Sequence, residues 1–424
     1  MSPRLGCVAD DFTGATDLAN NLVRAGMRVV QTIGVPAAGA AIDDADAVVV
    51  ALKSRTAPVD QAVRDSLAAC RWLRAQGAPQ IYFKVCSTFD STPAGNIGPV
   101  AEALMDELQA GLAIVTPAFP ENGRTVFKGH LFVGDLLLSD SPMRAHPLTP
   151  MTDANLVRVL QAQCRSRRVG LVEHAVVARG EAAVRERIAA LRAQGVTLAI
   201  ADAIADDDLR VLARAAAHER LVVAGSGLAI GIPVLHGLAP SVQAAQLPAA
   251  RGARAIVSGS CSTATQAQVK HFADEGGAAF AVDALRLAAG DDVARQALDW
   301  AAPLLGEGSG AAPVLVYATA DTDTLRTVQA ALGAARAGAL VEDCLARVAQ
   351  GLVAAGVGQL VVAGGETSGA CVQALGIDTL RIGPQIDPGV PWCHAPSQRL
   401  HLALKSGNFG GTDFFTRAFS VLAA

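Results

Sequence analysis

Short aliphatic runs alternate along the chain with longer stretches in which apolar residues recur every three to four positions. In the first half, the aliphatic runs predict strands at Leu5–Ala9, Val29–Ile33, Ala47–Leu52, Ile81–Val85, Leu112–Thr116, Thr197–Ala201 and Leu221–Ala224. The periodic stretches between them predict helices at Gly14–Ala25, Asp60–Ala75, Ile97–Ala110 and Glu181–Gln194. This alternation is typical of a mostly parallel sheet with helices on both faces.

The alternation is interrupted between Gly237 and Arg254, where alanine, proline and glutamine are frequent, as in a linker. It restarts beyond this stretch with a helix at Thr263–Ala273 and strands near Ala255–Val257, Val314–Tyr317, Gln359–Ala363 and Leu402–Leu404. A chain of 424 residues is also long for a single core. We therefore predict an α/β protein with two α/β domains, residues 1–245 and 246–424, with mostly parallel sheets and an active-site cleft between them.

The amino-acid composition and net charge favour a parallel α/β protein and argue against nucleic-acid and membrane partners. Apolar residues make up 51% of the chain and aromatic residues only 4%, which is typical of aliphatic parallel strands. The net charge is −4 and no basic stripe is present, so we expect no nucleic-acid partner. Without a signal-peptide pattern or an apolar run of roughly 18 residues, we expect a cytoplasmic protein without membrane contact.

The eight cysteines are scattered and lack the spacing of a metal site or a disulfide framework, so we expect reduced thiols and no all-protein metal site. No pattern in the sequence predicts the oligomeric state directly. Aliphatic-rich α/β enzymes of this size are often homodimers, and a homodimer is therefore our expectation.

The most informative polar stretch follows the first predicted strand. Asp10 and Asp11 stand side by side where the strand ends, and Thr13 and Asp17 begin the next helix. An ordinary helix start, with Thr13 as the N-cap and Asp17 in the first turn, explains the latter two. It leaves the adjacent carboxylates unexplained, because they repel each other and gain nothing as caps. Since open α/β sheets bind ligands at the carboxyl ends of their strands, we interpret Asp10 and Asp11 as functional.

Cations and hydroxyls follow other strands of the first half, and those that we expect at the same sheet edge are Arg55, Lys84, Ser87 and Arg124. Together they favour a small polyhydroxy carboxylate, because arginine binds a carboxylate through two hydrogen bonds. The alternative interpretation is that Lys84 pairs with a structural acid and Arg124 is a surface loop residue.

The second half carries glycine-rich turns after strands, at Ser258-Gly259-Ser260, at Gly364-Gly365-Glu366-Thr367 and at 405–411. Glycines in this position let backbone N–H groups approach phosphates, and a following helix adds the attraction of its dipole. None of the turns matches a Walker motif or G-x-G-x-x-G. Their number in one domain still favours a nucleotide phosphate site.

Taken in order, several segments resemble the signature segments of the four-carbon acid sugar kinases: 9–15, 123–125, 258–260, 364–367 and 405–410. The resemblance extends over essentially the whole chain. Residues 17–27 together with 31–34 look most like the 3-oxo-tetronate 4-kinase branch, although branches that phosphorylate threonate or erythronate share the general signature.

The resemblance implies an N-terminal substrate domain, a C-terminal ATP domain, and transfer of the γ-phosphate to the 4-hydroxyl of a four-carbon sugar acid. It places ATP against Ser258, Gly364, Gly365, Glu366, Thr367 and Gly407. It places the sugar acid against Asp10, Asp11, Thr13, Lys84 and Arg124.

For the mechanism we predict that Asp11 accepts the proton of the attacking hydroxyl and that Asp10 orients the substrate or a hydrated Mg²⁺, although the two roles could be exchanged. Mg²⁺ is inferred from ATP chemistry alone. A hydrolase or aldolase acting on a sugar phosphate would not need the glycine-rich turns. A non-catalytic sugar-acid sensor usually carries an export signal or a DNA-binding module, and the sequence shows neither.

Overall fold

The computed structural model describes residues 2–37, 39–40, 42, 44–146, 149–306, 311–320 and 322–423. The chain divides into two compact units, Met1–Ala245 and Gln246–Ala424, which we call unit 1 and unit 2. The division falls inside the alanine- and proline-rich stretch 237–254. There the backbone forms a short 3₁₀ turn, Val242–Ala245, and then enters the first strand of unit 2 at Ala253.

The sheets of unit 1 use strands β1 (Leu5–Ala9), β2 (Val29–Ile33), β3 (Ala47–Ala51), β4 (Gln80–Lys84), β5 (Ala113–Thr116), β6 (Arg124–Phe127), β7 (His130–Val133), β8 (Leu136–Leu137), β9 (Arg168–Val172), β10 (Val196–Ala201) and β11 (Leu221–Ala224). The main sheet is parallel and has the order β2-β3-β1-β4-β11-β5-β10-β9. A smaller antiparallel sheet has the order β6-β7-β8.

The helices of unit 1 are α1 (Phe12–Arg24), α2 (Val59–Ala75), α3 (Ile97–Leu108), α4 (Leu156–Gln163), α5 (His174–Val177), α6 (Glu181–Ala193) and α7 (Asp206–Ala215). Most of them lie between strands of the parallel sheet in the chain, as right-handed crossovers require. On α1 a long run of residues from Ala15 to Val23 is buried, so this helix packs deep against the sheet.

The central strands of unit 1 end in register. Ala9 of β1 pairs with Ala51 of β3 and with Lys84 of β4, and Lys84 is level with Ala224 of β11. Both β1 and β3 are buried along their whole length, which explains why each is a continuous aliphatic run. The residues that follow these strands therefore meet along one edge of the sheet.

Unit 2 uses strands β12 (Ala253–Ser258), β13 (Ala278–Ala281), β14 (Val314–Tyr317), β15 (Val357–Ala363), β16 (Thr379–Asp387), β17 (Val390–Ala395) and β18 (Leu400–Lys405). Its helices are α8 (Thr263–Asp274), α9 (Ala284–Ala288), α10 (Val293–Ala301), α11 (Thr322–Leu332), α12 (Ala334–Ala354), α13 (Gly365–Ala374) and α14 (Phe414–Ala423). The strand order is β13-β14-β12-β15-β18-β17-β16, and all neighbouring pairs are parallel except those of β17, which is antiparallel to both β18 and β16.

The core of unit 2 is centred on Trp392. Its ring is fully buried against Phe419, and its indole Nε1 donates a hydrogen bond of 2.8 Å to the carbonyl of Ala418. Phe414 and Phe415 of α14 join the same cluster. The C-terminal helix is thereby fixed to the sheet, together with the loop that enters it.

The predicted α/β class with mostly parallel strands is confirmed, and each predicted strand and helix has a counterpart within one to three residues of its bounds. The antiparallel elements β6–β8 and β16–β17 were not predicted. They are short or contain prolines, as at Pro384 and Pro391, and so lack a continuous aliphatic run. In the part of the chain that the structure describes, no helix is long and apolar enough to cross a membrane.

Candidate active site

Asp10 and Asp11 follow β1 directly, but their surroundings differ. Asp11 is the N-cap of α1: its carboxylate accepts the backbone N–H of Gly14, and its side chain remains 25% exposed. Asp10 is buried. The alternative assignment of Thr13 as N-cap is wrong, because Thr13 lies half-buried inside the first turn of α1 and Asp17 lies in the second. The expectation that neither acid gains anything as a cap is likewise wrong for Asp11.

The guanidinium of Arg55 binds this pair of carboxylates. Its Nε donates to Asp10 Oδ2 at 3.0 Å and its Nη2 to Asp10 Oδ1 at 2.9 Å, and Nη2 also contacts Asp11 Oδ2. A third carboxylate, Asp90, lies 3.8 Å from Nη1. Burial raises the pKa of Asp10, and the attraction of Arg55 opposes this effect. One cation among three carboxylates gives the cluster a net negative charge.

The turn that carries Arg55 is held by Asn96 at the start of α3. The side-chain amide of Asn96 donates to three backbone carbonyls, those of Ser54 at 2.7 Å, Arg55 at 3.2 Å and Ala57 at 2.9 Å. The Arg55 backbone is also tied to β1, because its N–H donates to the Asp10 carbonyl at 3.2 Å. The position of the guanidinium is therefore set by backbone contacts as well as by its ion pairs.

The segment after β4 places Asp90 at this cluster. Ser87 lies half-buried in the turn, and Thr88 Oγ1 donates to Asp90 Oδ1 at 2.5 Å. Between them Phe89 is fully buried with a φ of +52°, a left-handed conformation that is unusual for a bulky residue. Such strain occurs most often at functional sites. Burial raises the pKa of the neighbouring Cys86 thiol to about 12, so this cysteine is not a nucleophile at neutral pH.

Lys84 ends β4 and faces the first turns of α1. Its buried Nζ donates to the Val85 carbonyl at 2.8 Å, and among the described residues it forms no ion pair within 4 Å. A Cβ on Gly14 would lie 3.1 Å from this Nζ, so glycine allows the close approach of the helix. The structure therefore shows no direct ion pair between Lys84 and an acid among the described residues, and its place in a substrate site stays a prediction.

Asp17 is a further buried acid beside Lys84. Burial raises its pKa to about 6, against the attraction of the Lys84 charge. Its Oδ1 has no hydrogen-bond partner within the described residues. Its sequence position indicates only an ordinary helical role, because its burial depends on how closely α1 packs on the sheet.

Arg124 is the first residue of β6 and is half-buried. Its Nη1 donates to the Asn122 carbonyl, its buried Nε has no partner in the described part of the chain, and its charge attracts Asp17. The β6–β7 hairpin that carries it turns at Lys128 and Gly129, which both have positive φ. The carboxylate of Asp202 accepts both of their N–H groups, at 2.7 and 2.8 Å. Arg124 is therefore fixed by a hairpin and is not a loose surface residue.

In unit 2 the glycine-rich turns contact one another. The N–H of Gly259 donates to the Ala363 carbonyl at 2.9 Å, and the N–H of Gly364 donates to the Lys405 carbonyl at 2.8 Å. A Cβ on Gly259 would overlap Thr367 Oγ1, and a Cβ on Gly407 would lie 2.5 Å from Ser260 Oγ. The turns approach this closely because these positions have no side chain.

Gly364 is also the N-cap of α13, with a φ of +129° and no side chain that caps the helix. Gly365 and Glu366 are exposed in the first turn, and Thr367 is buried behind them. The start of a helix without a side-chain cap is a position at which proteins commonly bind anions. Ser258 is buried at the end of β12, and its Oγ lies 2.8 Å from Thr319 Oγ1.

A cleft of about 760 Å³ opens beside Gly259 in unit 2, lined also by Cys261, Val282, Tyr317, Thr319 and Val341. This volume is in the usual range for sites that bind small molecules. Glycine turns, a free helix N-terminus and an adjoining cleft together fit a nucleotide. In the described ranges no group of three His, Cys, Asp or Glu side chains is arranged to hold a metal ion.

Four residues that lie at these sites received no site role from the sequence: Asp17, Asp90, Thr319 and Lys405. Lys405 is fully buried, and burial lowers its pKa to about 7. A lysine that ends an aliphatic strand was the signal available for it, as it was for Lys84. No sequence pattern indicated that Asp90 and Thr319 would approach Arg55 and Ser258.

Comparison with known proteins finds two domain models along the chain. Residues 5–232 match the model of a sugar-binding N-terminal domain, and residues 255–415 match that of a nucleotide-binding C-terminal domain. A 3-oxo-tetronate kinase of Cupriavidus necator is 58% identical over 99% of this chain and 97% of its own length. A protein of the same name from Burkholderia multivorans has the same identity and coverage.

A solved structure from Salmonella typhimurium LT2 is 42% identical, covers 98% of both chains and superposes with a TM-score of 0.88. The two domain models together match most of the chain, and the similarity to these relatives extends over nearly its whole length. The chain therefore belongs to the four-carbon acid sugar kinase family, in the branch of the 3-oxo-tetronate kinases.

Proposed function

We propose that this kinase transfers the γ-phosphate of ATP to the 4-hydroxyl of 3-oxo-tetronate and forms 3-oxo-tetronate 4-phosphate. The relatives that carry the name 3-oxo-tetronate kinase support the substrate, since their identity to this chain reaches 58% over nearly its full length. The contrast between Asp10 and Asp11 is the single observation that carries the mechanism.

Asp11 is the general base in this proposal. Its carboxylate is partly exposed and held by the helix N-terminus and by Arg55, whereas Asp10 is buried with both of its oxygens bound to Arg55. Asp11 is therefore the carboxylate of this pair that a substrate hydroxyl can approach from solvent, since its side chain is 25% exposed and that of Asp10 is buried. It takes the proton of the 4-hydroxyl as that oxygen bonds to the γ-phosphorus and the bond to ADP breaks.

The cations of unit 1 bind the carboxylate of the substrate in this proposal. Lys84 forms no ion pair in the described residues, and the buried Nε of Arg124 has no partner there. Both side chains can therefore bind an anionic group of the substrate. Thr13 and Ser87 supply hydroxyls. Arg55 faces the substrate from its position among the carboxylates, where its main effect is to hold Asp11.

Residues 1–245 then form the sugar-acid domain and residues 246–424 the ATP domain. The glycine turns and the uncapped start of α13 support ATP contacts at Ser258, Gly364, Gly365, Glu366, Thr367 and Gly407. We propose that Mg²⁺ arrives with the nucleotide, where it neutralises phosphate charge when bound. No protein cluster that holds Mg²⁺ by itself is present in the described ranges.

We also propose a homodimer that works in the reducing cytoplasm. All eight cysteines are free, which suits a reducing compartment, and the aliphatic α/β architecture suits a dimer. Light scattering on the purified chain tests the dimer, and a monomeric mass would contradict it.

The experiment is a phosphorylation assay with ATP and 3-oxo-tetronate, threonate or erythronate as the acceptor, each as defined stereoisomers. We expect turnover to be highest with 3-oxo-tetronate. Preference for threonate or erythronate would contradict the substrate and leave the kinase activity intact, whereas turnover without ATP would favour a hydrolase.

The base is tested with Asp11→Asn, which should lower kcat by about 100- to 10,000-fold while the variant still binds ATP. The matched control is Asp60→Asn, at an exposed acid in the first turn of α2, which should retain wild-type turnover. A fully active Asp11→Asn variant would eliminate Asp11 as the base.

A further inference from the structure

Lys405 ends β18, and its side chain is fully buried inside unit 2. Its Nζ donates to Thr265 Oγ1 at 3.0 Å and to the carbonyls of Ser406 and Gly407, each at 3.1 Å. Three acceptors match the three N–H groups of an ammonium ion. A neutral amine would leave one of these oxygens facing a lone pair.

The Gly407 carbonyl is where this network converges. Besides Lys405 it accepts hydrogen bonds from Ser262 Oγ at 2.5 Å and from Thr265 Oγ1 at 2.8 Å. Ser262 is the N-cap of α8, and Thr265 lies in its first turn. The end of β18 and the start of α8 therefore hold the same carbonyl oxygen.

Holding this carbonyl inside the unit fixes the peptide that follows it. The C=O and N–H of a trans peptide point in opposite directions, so the inward Gly407 carbonyl turns the N–H of Asn408 outward. Asn408 is exposed, and its N–H has no hydrogen-bond partner in the described part of the chain. An outward N–H in a glycine turn is a donor for an anion.

The backbone of Lys405 extends the same network to a second turn. Its carbonyl accepts the N–H of Gly364, the N-cap of the uncapped helix α13, at 2.8 Å. Lys405 thus contacts two of the glycine-rich turns, one through its side chain and one through its main chain.

We propose that Lys405 is a positioning residue of the nucleotide site, whose ammonium group holds the Gly407 carbonyl so that the Asn408 N–H faces a phosphate of ATP. This inference rests on the proposed function of unit 2. Lys405 lies behind the turn, so it acts through Gly407 and not by contact with the nucleotide.

The charge of Lys405 makes this role sensitive to pH. Burial alone lowers its pKa to about 7, and its nearest aromatic neighbour is the Phe414 ring, with Nζ 6.0 Å from the centroid. The helices around it carry these charged and titratable groups: Lys270, His271 and Asp274 of α8, Glu366 of α13 and Arg417 of α14. Above neutral pH the amine loses a proton, and the network loses one donor.

The test is Lys405→Met, which keeps the length of the side chain and removes its donors. We expect the KM for ATP to rise about tenfold or more, because hydrogen bonds from a charged donor are lost, while the KM for the sugar acid stays within about twofold. The matched control is Lys270→Met, at an exposed lysine on α8 that pairs with Asp274, and it should leave both values unchanged.

A pH profile separates positioning from a general structural role. The affinity of the wild type for ATP should fall between pH 6 and pH 8.5 relative to that of Lys405→Met, and comparison at each pH cancels the titration of the nucleotide itself. Parallel profiles for the two proteins would overturn the inference, as would equal rises in the KM of ATP and of the sugar acid.

Thr265→Val serves if Lys405→Met does not fold, since it keeps the side-chain shape and removes one acceptor of Lys405 and one donor to Gly407. It should also raise the KM for ATP selectively, and wild-type kinetics in this folded variant would overturn the inference. Hydrogen exchange of residues 405–411 without nucleotide should be faster in both variants. A wild-type chain that bound no ATP would contradict the proposed function. Unchanged hydrogen exchange in the variants would contradict only the positioning of the Gly407 carbonyl by Lys405.

Discussion

The two candidate sites consist of different kinds of chemical group. In unit 1 the side chains are charged: Arg55 lies among the carboxylates of Asp10, Asp11 and Asp90, and Lys84 lies beside Asp17. In unit 2 the site consists of glycine turns, hydroxyls and main-chain N–H groups, with one buried lysine behind them. In the function proposed above, unit 1 would recognise its ligand mainly by charge, and unit 2 would recognise its ligand mainly by close approach of the backbone.

The difference predicts opposite sensitivities. Removal of one partner of a buried ion pair lowers the free energy of unfolding, because the other charge is left without compensation. Addition of a side-chain atom at a close-packed glycine turn destabilises the turn, because the contacting side chain must move. Deletion of side chains should therefore damage unit 1 most, and addition of side-chain atoms should damage unit 2 most.

The largest effect is expected for Arg55→Leu. This change leaves three carboxylates around an apolar side chain, and loss of one partner from a buried pair costs about 3–5 kcal/mol. Urea unfolding of the variant should show this decrease in the free energy of unfolding, and turnover should be lost with it. Arg71→Leu is the control, because Arg71 pairs with Glu107 on the surface, and it should unfold like the wild type. Equal stability of the two variants would refute the cluster as the support of this site.

Asp17→Asn should increase the free energy of unfolding at alkaline pH, whereas Arg55→Leu decreases it. Since the folded-state pKa of about 6 is raised, the protonated acid contributes stability that is present below about pH 4 and is lost as the pH rises through 6. At pH 8 the variant should thus be more stable than the wild type by up to about 3 kcal/mol, and at pH 4 the two should be equal.

Thermal unfolding at a series of pH values measures this difference. The control is Asp207→Asn, at an exposed acid on α7 that pairs with Arg210, which should show no gain at pH 8. A constant difference between Asp17→Asn and the wild type across the series would refute ionisation as the cause.

The parts of the fold that the sequence predicted are those with a continuous signal. Parallel strands that are buried on both faces are aliphatic runs, and strands in one sheet end together. The encounter of Asp10, Arg55 and Lys84 at one edge follows from those two facts. The N-cap was assigned to the wrong residue because Asp11 and Thr13 are both good caps, and only the path of the chain after β1 decides between them.

Contacts between distant segments could not be predicted in the same way. Asp90 reaches Arg55 through a strained turn at Phe89, and the buried Lys405 contacts Thr265 of α8 and lies near the Phe414 ring of α14. Neither packing arrangement leaves a periodic pattern in the sequence. Charged residues at strand ends are visible in a sequence, whereas the direction of a peptide N–H is not, so the sequence indicates the charged groups of unit 1 more directly than the backbone groups of unit 2.

The smallest effect is expected for Gly259→Ala, which tests unit 2 by adding one methyl group. The new Cβ would overlap Thr367 Oγ1 and lie 2.9 Å from Leu345 Cδ1, so the first turn of α13 must shift. Overpacking of this kind costs about 1–3 kcal/mol, and a displaced phosphate site should raise the KM for ATP about tenfold with the KM for the sugar acid unchanged. Gly111→Ala, where the Cβ would meet its nearest neighbour at 3.8 Å, should keep wild-type kinetics. If Gly259→Ala also kept them, close approach of the backbone could not be what distinguishes unit 2 from unit 1.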